Sequence, residues 1–263
     1  AGTTSTTGRL YGIYSIVTGP LIMTHNSVEF NTVNSSSASM YYLYNGYNLG
    51  VTMSATISFN TIVGTQMKHT GITYMIYNST TQWSPAVSNI QGNSVSGNWS
   101  KTGSGGAVYF YYNSNSGNSV ENFFENNISN IANAGSGATY AYYSRPAGAA
   151  TQNVYNNTIS KLTGGTGIVV GIHGQIANTR SISGNIIDEI SGMGAVYGIN
   201  MGTGTIQSTV HQNKIYNLTT WGASAMAYGI YCNEGTVFNI ANNFISDLKA
   251  PLSSNLNAVN GIY

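Results

Sequence analysis

Charge is what this chain lacks most. Of its 263 residues, 6% are Asp, Glu, Lys or Arg, where an ordinary globular domain carries about 25%. The eight basic residues are scattered and the net charge is +1. Displacing counterions from a phosphate backbone takes clustered cations, so a nucleic-acid partner is set aside. A single cysteine, Cys232, excludes an intrachain disulfide and reads as a small, half-buried strand residue. No apolar run reaches the roughly 18–20 residues of a membrane-spanning helix. No charged segment followed by an apolar stretch opens the chain as a signal peptide would. Leucine occurs nine times, and Glu, Lys and Arg, the other strong helix formers, are scarce too. What remains is Gly, Ser, Thr, Asn, β-branched residues and 20 Tyr, a composition of strands and turns. An all-β fold is expected.

Repetition is what the chain has in their place. Eight asparagines recur as anchors: Asn31, Asn60, Asn93, Asn126, Asn157, Asn185, Asn213 and Asn243, at spacings of 29, 33, 33, 31, 28, 28 and 30. Three places before each anchor the residue is apolar, from Val28 and Ile57 to Val210 and Ile240. Two places after each it is a β-branched aliphatic, from Val33 and Ile62 to Ile215 and Ile245. Five places after, the last five units add Ile131, Leu162, Ile190, Leu218 and Leu248. An Asn at such a place suits a corner, because it tolerates left-handed backbone and its amide bonds local backbone. Stacked at one strand spacing, equivalent amides also bond one another as a ladder.

A second block lies between the anchors: YGIY at 11–14, YYLY at 41–44, YMIY at 74–77, YFYY at 109–112, YAYY at 140–143, and on to NGIY at 260–263. Its third column is never charged and is placed inside. Strand alternation then puts the first column inside and the second and fourth outside. The fourth column would expose Tyr44, Tyr77, Tyr112 and Tyr143 as consecutive rings, with His173 exposed further along. Polar stretches such as GNWSKTGSGG and ANAGSGA account for the variable unit length and are expected as corner loops.

Repeats of this length mean a solenoid. The anchor spacing resembles the asparagine corner of leucine-rich repeats, but the likeness stops after about nine residues per unit. Position five before the Asn is often polar (Glu121, Gln152, Arg180, Ser208), and the return segment is hostile to helix. A propeller blade needs more strands than a unit supplies. The expected fold is a right-handed parallel β-helix over residues 1–263, about eight coils of roughly 28–33 residues and a rod of roughly 40 Å. The chain resembles the pectin-lyase-like β-helix superfold over nearly its full length. The pattern is also similar to the Asn/Gly/Ile-rich repeats of large surface proteins from type IX-secreting bacteria. Ending in mid-coil without a cap, the chain reads as part of a longer array.

Chemistry is thinly represented. The acids are Glu29, Glu121, Glu125, Asp188, Glu189, Glu234 and Asp247, and glycoside hydrolysis needs two of them within about 5–10 Å. Lys161 and Glu189 fall in one column on adjacent coils. Asp188 and Glu189 would point to opposite faces of a strand. His25, His69, His173 and His211 show no metal-ligand spacing. No catalytic residue, metal ligand or cofactor is assigned. The exposed tyrosines, flanked by second-column glycines such as Gly171 and Gly198, suit a sugar ring or a protein partner. Stacking that only stabilises neighbouring strands is the plainer alternative. Ice binding would want regular Thr ranks, which are missing. The expectation is a non-catalytic structural or adhesive segment of a secreted, cell-surface protein, able to contact a glycan or protein or to self-associate into rods. Its rival is a polysaccharide-degrading β-helix enzyme.

Overall fold

The structure, a computed structural model, describes residues 8–30, 37–46, 52–115, 117–146, 148, 150–202, 204–233 and 235–263, with no helix among them. Strands form three sheets of nine, eight and eleven members, and each strand pairs in parallel with its counterpart one coil along. Strands such as Thr73–Asn78 and Val108–Asn113 build the first face. Val87–Gln91 and Val120–Phe124 belong to the second, Ser94–Ser96 and Asn127–Asn133 to the third. The chain runs through the faces in that order and returns to the first. This is a parallel β-solenoid of about eight turns.

The asparagines sit at the corner between the second and third faces, and their side chains are buried from Asn60 to Asn213. Asn93 shows the arrangement. Its Oδ1 accepts from the backbone N and Nδ2 of Asn60 at 3.1 and 2.9 Å. Its Nδ2 donates to the Ile57 carbonyl at 2.8 Å and to Asn126 Oδ1 at 3.1 Å. An amide offers two acceptor and two donor sites, so each interior member is saturated. Left-handed backbone falls on the residue before the Asn: His25, Phe59, Gly92, Glu125, Asn156, Gly184, Gln212 and Asn242 all have φ between 53° and 65°. The Asn therefore holds the corner while its predecessor makes the turn.

Asn31 and Val33 lie outside the described residues. The first place in the ladder belongs to Asn26, whose N and Nδ2 donate to Asn60 Oδ1 at 3.0 and 2.9 Å. Val28 pairs with Ile62, so it is the aliphatic two places after the true anchor, and the first spacing becomes 34.

The first face departs from plain alternation. Along Thr73–Asn78, Val108–Asn113 and Thr139–Ser144 the pattern is in, out, in, in, out, in. The register pairs first, third and fourth columns and passes over the second. The strand bends there, so two successive side chains point inward. First-column tyrosines consequently face outward, and the second column, expected at the surface, is interior. Gly12, Gly171, Gly198 and Gly229 there leave no opening for a ligand. A Cβ on Gly198 would lie 2.5 Å from Ile215 Cγ2 and 2.7 Å from the Gly229 carbonyl oxygen.

Second-column size follows coil length. Coils of 34, 33 and 33 residues carry Tyr42, Met75 and Phe110; the next, of 31, has Ala141; those of 28, 28 and 30 have Gly171, Gly198 and Gly229. Extra residues widen the cross-section, and close packing requires a larger group to fill it. Part of the extra length comes from GNWSKTGSGG. It is more than a surface loop, for Trp99–Lys101 is a strand whose Trp99 and Lys101 are fully buried. Trp99 Nε1 donates to Tyr42 Oη at 2.7 Å across the interior. Lys101 Nζ donates to the carbonyls of Gly71, Gly105 and Gly106 at 2.8, 2.7 and 2.6 Å, while burial lowers its pKa to about 8.

Two outcomes follow for chemical denaturation. Asn126→Ala strands two donors of Asn93 and the Ile90 carbonyl, and should lower stability by about 3 kcal/mol or more. Asn243→Ala, at a wetter position, should cost less than half as much. Phe110→Ala in a wide coil should cost about 3–5 kcal/mol as a cavity, whereas Gly198→Phe in a narrow coil should abolish the folded circular dichroism signal.

Candidate functional surface on the first face

Bending turns the first and fourth columns to the same side, and tyrosines fill both. Tyr11, Tyr41, Tyr74, Tyr109 and Tyr140 form one row, with successive ring centroids 4.9–5.2 Å apart and planes within 17°. Tyr14, Tyr44, Tyr77, Tyr112 and Tyr143 form the other, at 4.8–5.4 Å and within 12°. Within each coil the rows meet edge to face, as in Tyr74–Tyr77 at 5.0 Å and 77°. The four sequence-predicted residues Tyr44, Tyr77, Tyr112 and Tyr143 are thus neighbours in one half-buried row. The first-column row is legible in the sequence too, but plain alternation puts it in the core and the bend turns it outward.

The stacking decides what this surface offers. Each interior ring has its two faces against neighbours, so solvent meets ring edges and phenol oxygens. Burial, reinforced by surrounding phenols, raises the Tyr74 and Tyr109 hydroxyls and lifts Tyr140 to about 12. Tyr41 rises to about 12 for the same leading cause, opposed by Arg9. The surface stays neutral at its raised phenols and carries a charge at Arg9 beside Tyr11. It can give and accept hydrogen bonds, and it holds no activated nucleophile. At Val170, His173 and Asn200 the rows break, and they resume with Tyr197, Tyr228, Tyr231 and Tyr263.

His173 was expected at the surface, but it is only 6% exposed. Its ring stacks on Tyr143 at 5.0 Å and lies 5.6 Å from Tyr140. Burial first and the nearby Arg180 charge second lower its pKa to about 4. His69, wholly buried and bonded to Thr73 Oγ1 at 3.0 Å, is lowered to about 4 by burial and then Lys101.

The polar column five before the Asn also turns inward. Glu121, Gln152 and Arg180 are register partners on successive coils, all buried. Arg180 Nε donates to Gln152 Oε1 at 2.7 Å, Gln152 Nε2 to Ser144 Oγ at 2.8 Å, and Ser144 Oγ to Glu121 Oε2 at 2.7 Å. Asn113 Nδ2 also donates to that carboxylate. A cation and an anion two coils apart are thereby joined through neutral groups. Burial raises the Glu121 pKa, yet the carboxyl is sealed from substrate. Asp188 and Glu189, expected on opposite faces, both turn outward, because Glu189 has φ 50° and interrupts alternation. Glu234 lies outside the described residues. Among the described residues no three His, Cys, Asp or Glu side chains gather as a metal site requires.

The histidines predict a pH response. Both stay neutral in the folded chain while the unfolded chain takes up protons near 6.5, so stability should fall as pH drops from about 6.5 towards 4. Glu121, with its pKa raised, acts in the opposite sense, so the informative comparison is between chains. His173→Asn, which copies Asn200 one coil on, should lose less melting temperature over that interval than the wild type. Parallel curves would refute the assignment.

Against known proteins, no family model, no curated protein and no solved structure matches this chain.

Proposed function

We propose that this chain is a non-catalytic structural and adhesive segment of a secreted bacterial cell-surface protein, and that the tyrosine face is its contact surface. Kinship with pectin-lyase-like β-helices and with the repeats of type IX-secreted adhesins belongs to the same proposal. The observation that carries the reading is the double tyrosine row: a phenol-lined, partly apolar strip along the rod. Contiguous exposed apolar surface of this kind commonly marks an interaction site. Because neighbours cover the ring faces, a sugar finds no open aromatic platform within the rows. Ring edges and hydroxyls in regular files suit a protein surface better, including another rod of the same pitch. The rival enzyme reading has one observation in its favour, the outward pair Asp188 and Glu189.

The test begins on intact source cells. External protease and a non-permeant label should reach the chain, and a purely cytosolic pool would sink the surface assignment. Beads coated with the purified chain should attach to cells from its habitat. Tyr77→Ser combined with Tyr112→Ser should cut attachment several-fold without changing the circular dichroism spectrum. Release of reducing ends or unsaturated products from polysaccharides would establish the rival instead.

A further inference from the structure

A shallow open groove of about 380 Å³ runs along the rod on the third face. One wall is the column four after the anchor Asn: Lys161, Glu189 and Asn217, with left-handed φ of 53°, 50° and 54°. That kink directs long side chains outward. Two residues further on, the floor is a file of short hydroxyl side chains, Thr163, Ser191 and Thr219, paired in register on the same three coils. Trp221 closes the far side and is 48% exposed.

The setting of Trp221 differs from that of every ladder tyrosine. Among the described residues no aromatic ring pairs with it, and about half of the indole reaches solvent beside Met193 of the preceding coil. Its backbone is fixed: Trp221 N donates to the Gly192 carbonyl at 2.9 Å, and the preceding Thr220 Oγ1 donates to the Gly194 carbonyl at 2.8 Å. Asn217 is oriented as well. Its Nδ2 donates to Asp188 Oδ1 at 2.9 Å, which leaves its carbonyl oxygen for a ligand. Preorganised groups on rigid strands make a better site than the same groups on loops.

An indole face carries negative charge density and attracts the weakly positive C–H groups on the face of a sugar ring. Around the ring, hydroxyls need both donors and acceptors. Lys161 supplies donors, Glu189 and Asn217 acceptors, and the Thr and Ser hydroxyls either. Lys161 and Glu189 offset one another, and the Asp188 carboxylate bonded to Asn217 adds a negative charge beside the groove, which selects a neutral ligand over a uronic acid. Successive coils repeat every ~4.8 Å, so the three-coil groove accommodates an extended oligomer lying along the rod.

We propose that this groove binds a neutral oligosaccharide, with one sugar ring stacked on Trp221 and its hydroxyls bonded by Asn217, Glu189 and Lys161. The site is separate from the tyrosine face. It rests on the surface-segment reading only in expecting binding without cleavage.

The experiment is calorimetric titration of the whole chain with cellohexaose, mannohexaose, xylohexaose and chitohexaose, with an oligogalacturonate as the acidic control. Chromatography of the recovered probe follows each titration. At least one neutral probe should bind. Trp221→Ala should weaken it at least roughly tenfold, equivalent to about 1.4 kcal/mol. Ser191→Arg, which fills the floor from an outward strand position, should do the same and guards against misfolding of the first variant. Ile22→Ser, at an exposed position on the second face, should leave the affinity unchanged. Failure of every neutral probe, preference for the acidic control, or binding that survives both groove variants would overturn the proposal and leave the rod reading intact. A probe that binds through Trp221 but returns shortened would uphold the groove and remove the non-catalytic reading.

Discussion

Every other feature of this molecule depends on equivalent residues lying one strand spacing apart, and the asparagine amide is the group that exploits this most fully. Backbone bonds pair the strands and continue through the corner, as from Ser94 N to the Asn60 carbonyl, and the asparagine side chains add a second ladder beside them. From Asn60 to Asn213 each amide accepts from the coil before, donates to its carbonyl, and donates to the amide of the coil after. A primary amide has the donor and acceptor count to do all this at once. A carboxylate could not donate, and a hydroxyl could not reach two coils. That saturation offsets the strain of a left-handed residue such as Phe59 or Glu125 at every corner.

With the corner fixed, the cross-section becomes a packing problem solved coil by coil. Longer coils place Tyr42, Met75 or Phe110 in the interior where shorter coils have glycine. Polar groups enter the interior under the same rule. Lys101 is held by three carbonyls, and Glu121 and Arg180 share a relay through Ser144 and Gln152. Hydrogen bonds replace water around Lys101, while Arg180 Nη1 and Nη2 and Glu121 Oε1 have no hydrogen-bond partner among the described residues. Each arrangement recruits neighbours from adjacent coils, so a substitution in one coil is felt in the next.

The two outer surfaces show opposite uses of aromatic rings. On the first face, tyrosines in register consume their faces in stacking and present edges and hydroxyls. On the third face, Trp221 has no aromatic ring paired with it among the described residues and stays half exposed at the groove. The same periodicity yields a phenol-lined strip in one place and an open groove in another. The difference lies in whether aromatic residues recur in the column.

The sequence alone determined the all-β class, the solenoid and most of the corner register, because side chains that must stack one strand spacing apart must also recur in the chain. Asn60 to Asn243 were legible for that reason, as was the row Tyr44, Tyr77, Tyr112 and Tyr143. The first corner was not. Val28 fits both as the residue before Asn31 and as the one after Asn26, and only the pairing of Val28 with Ile62 separates the two. Tertiary structure also decided which way side chains point near bends. Alternation holds along a straight strand, but the bend at the second column and the left-handed φ at Glu189 each reset it, turning the first tyrosine row outward and Glu189 to the same side as Asp188. The buried relay and the groove were settled at that level too, since their members come from different coils, as Gln152 and Arg180 do, and meet only when the coils stack.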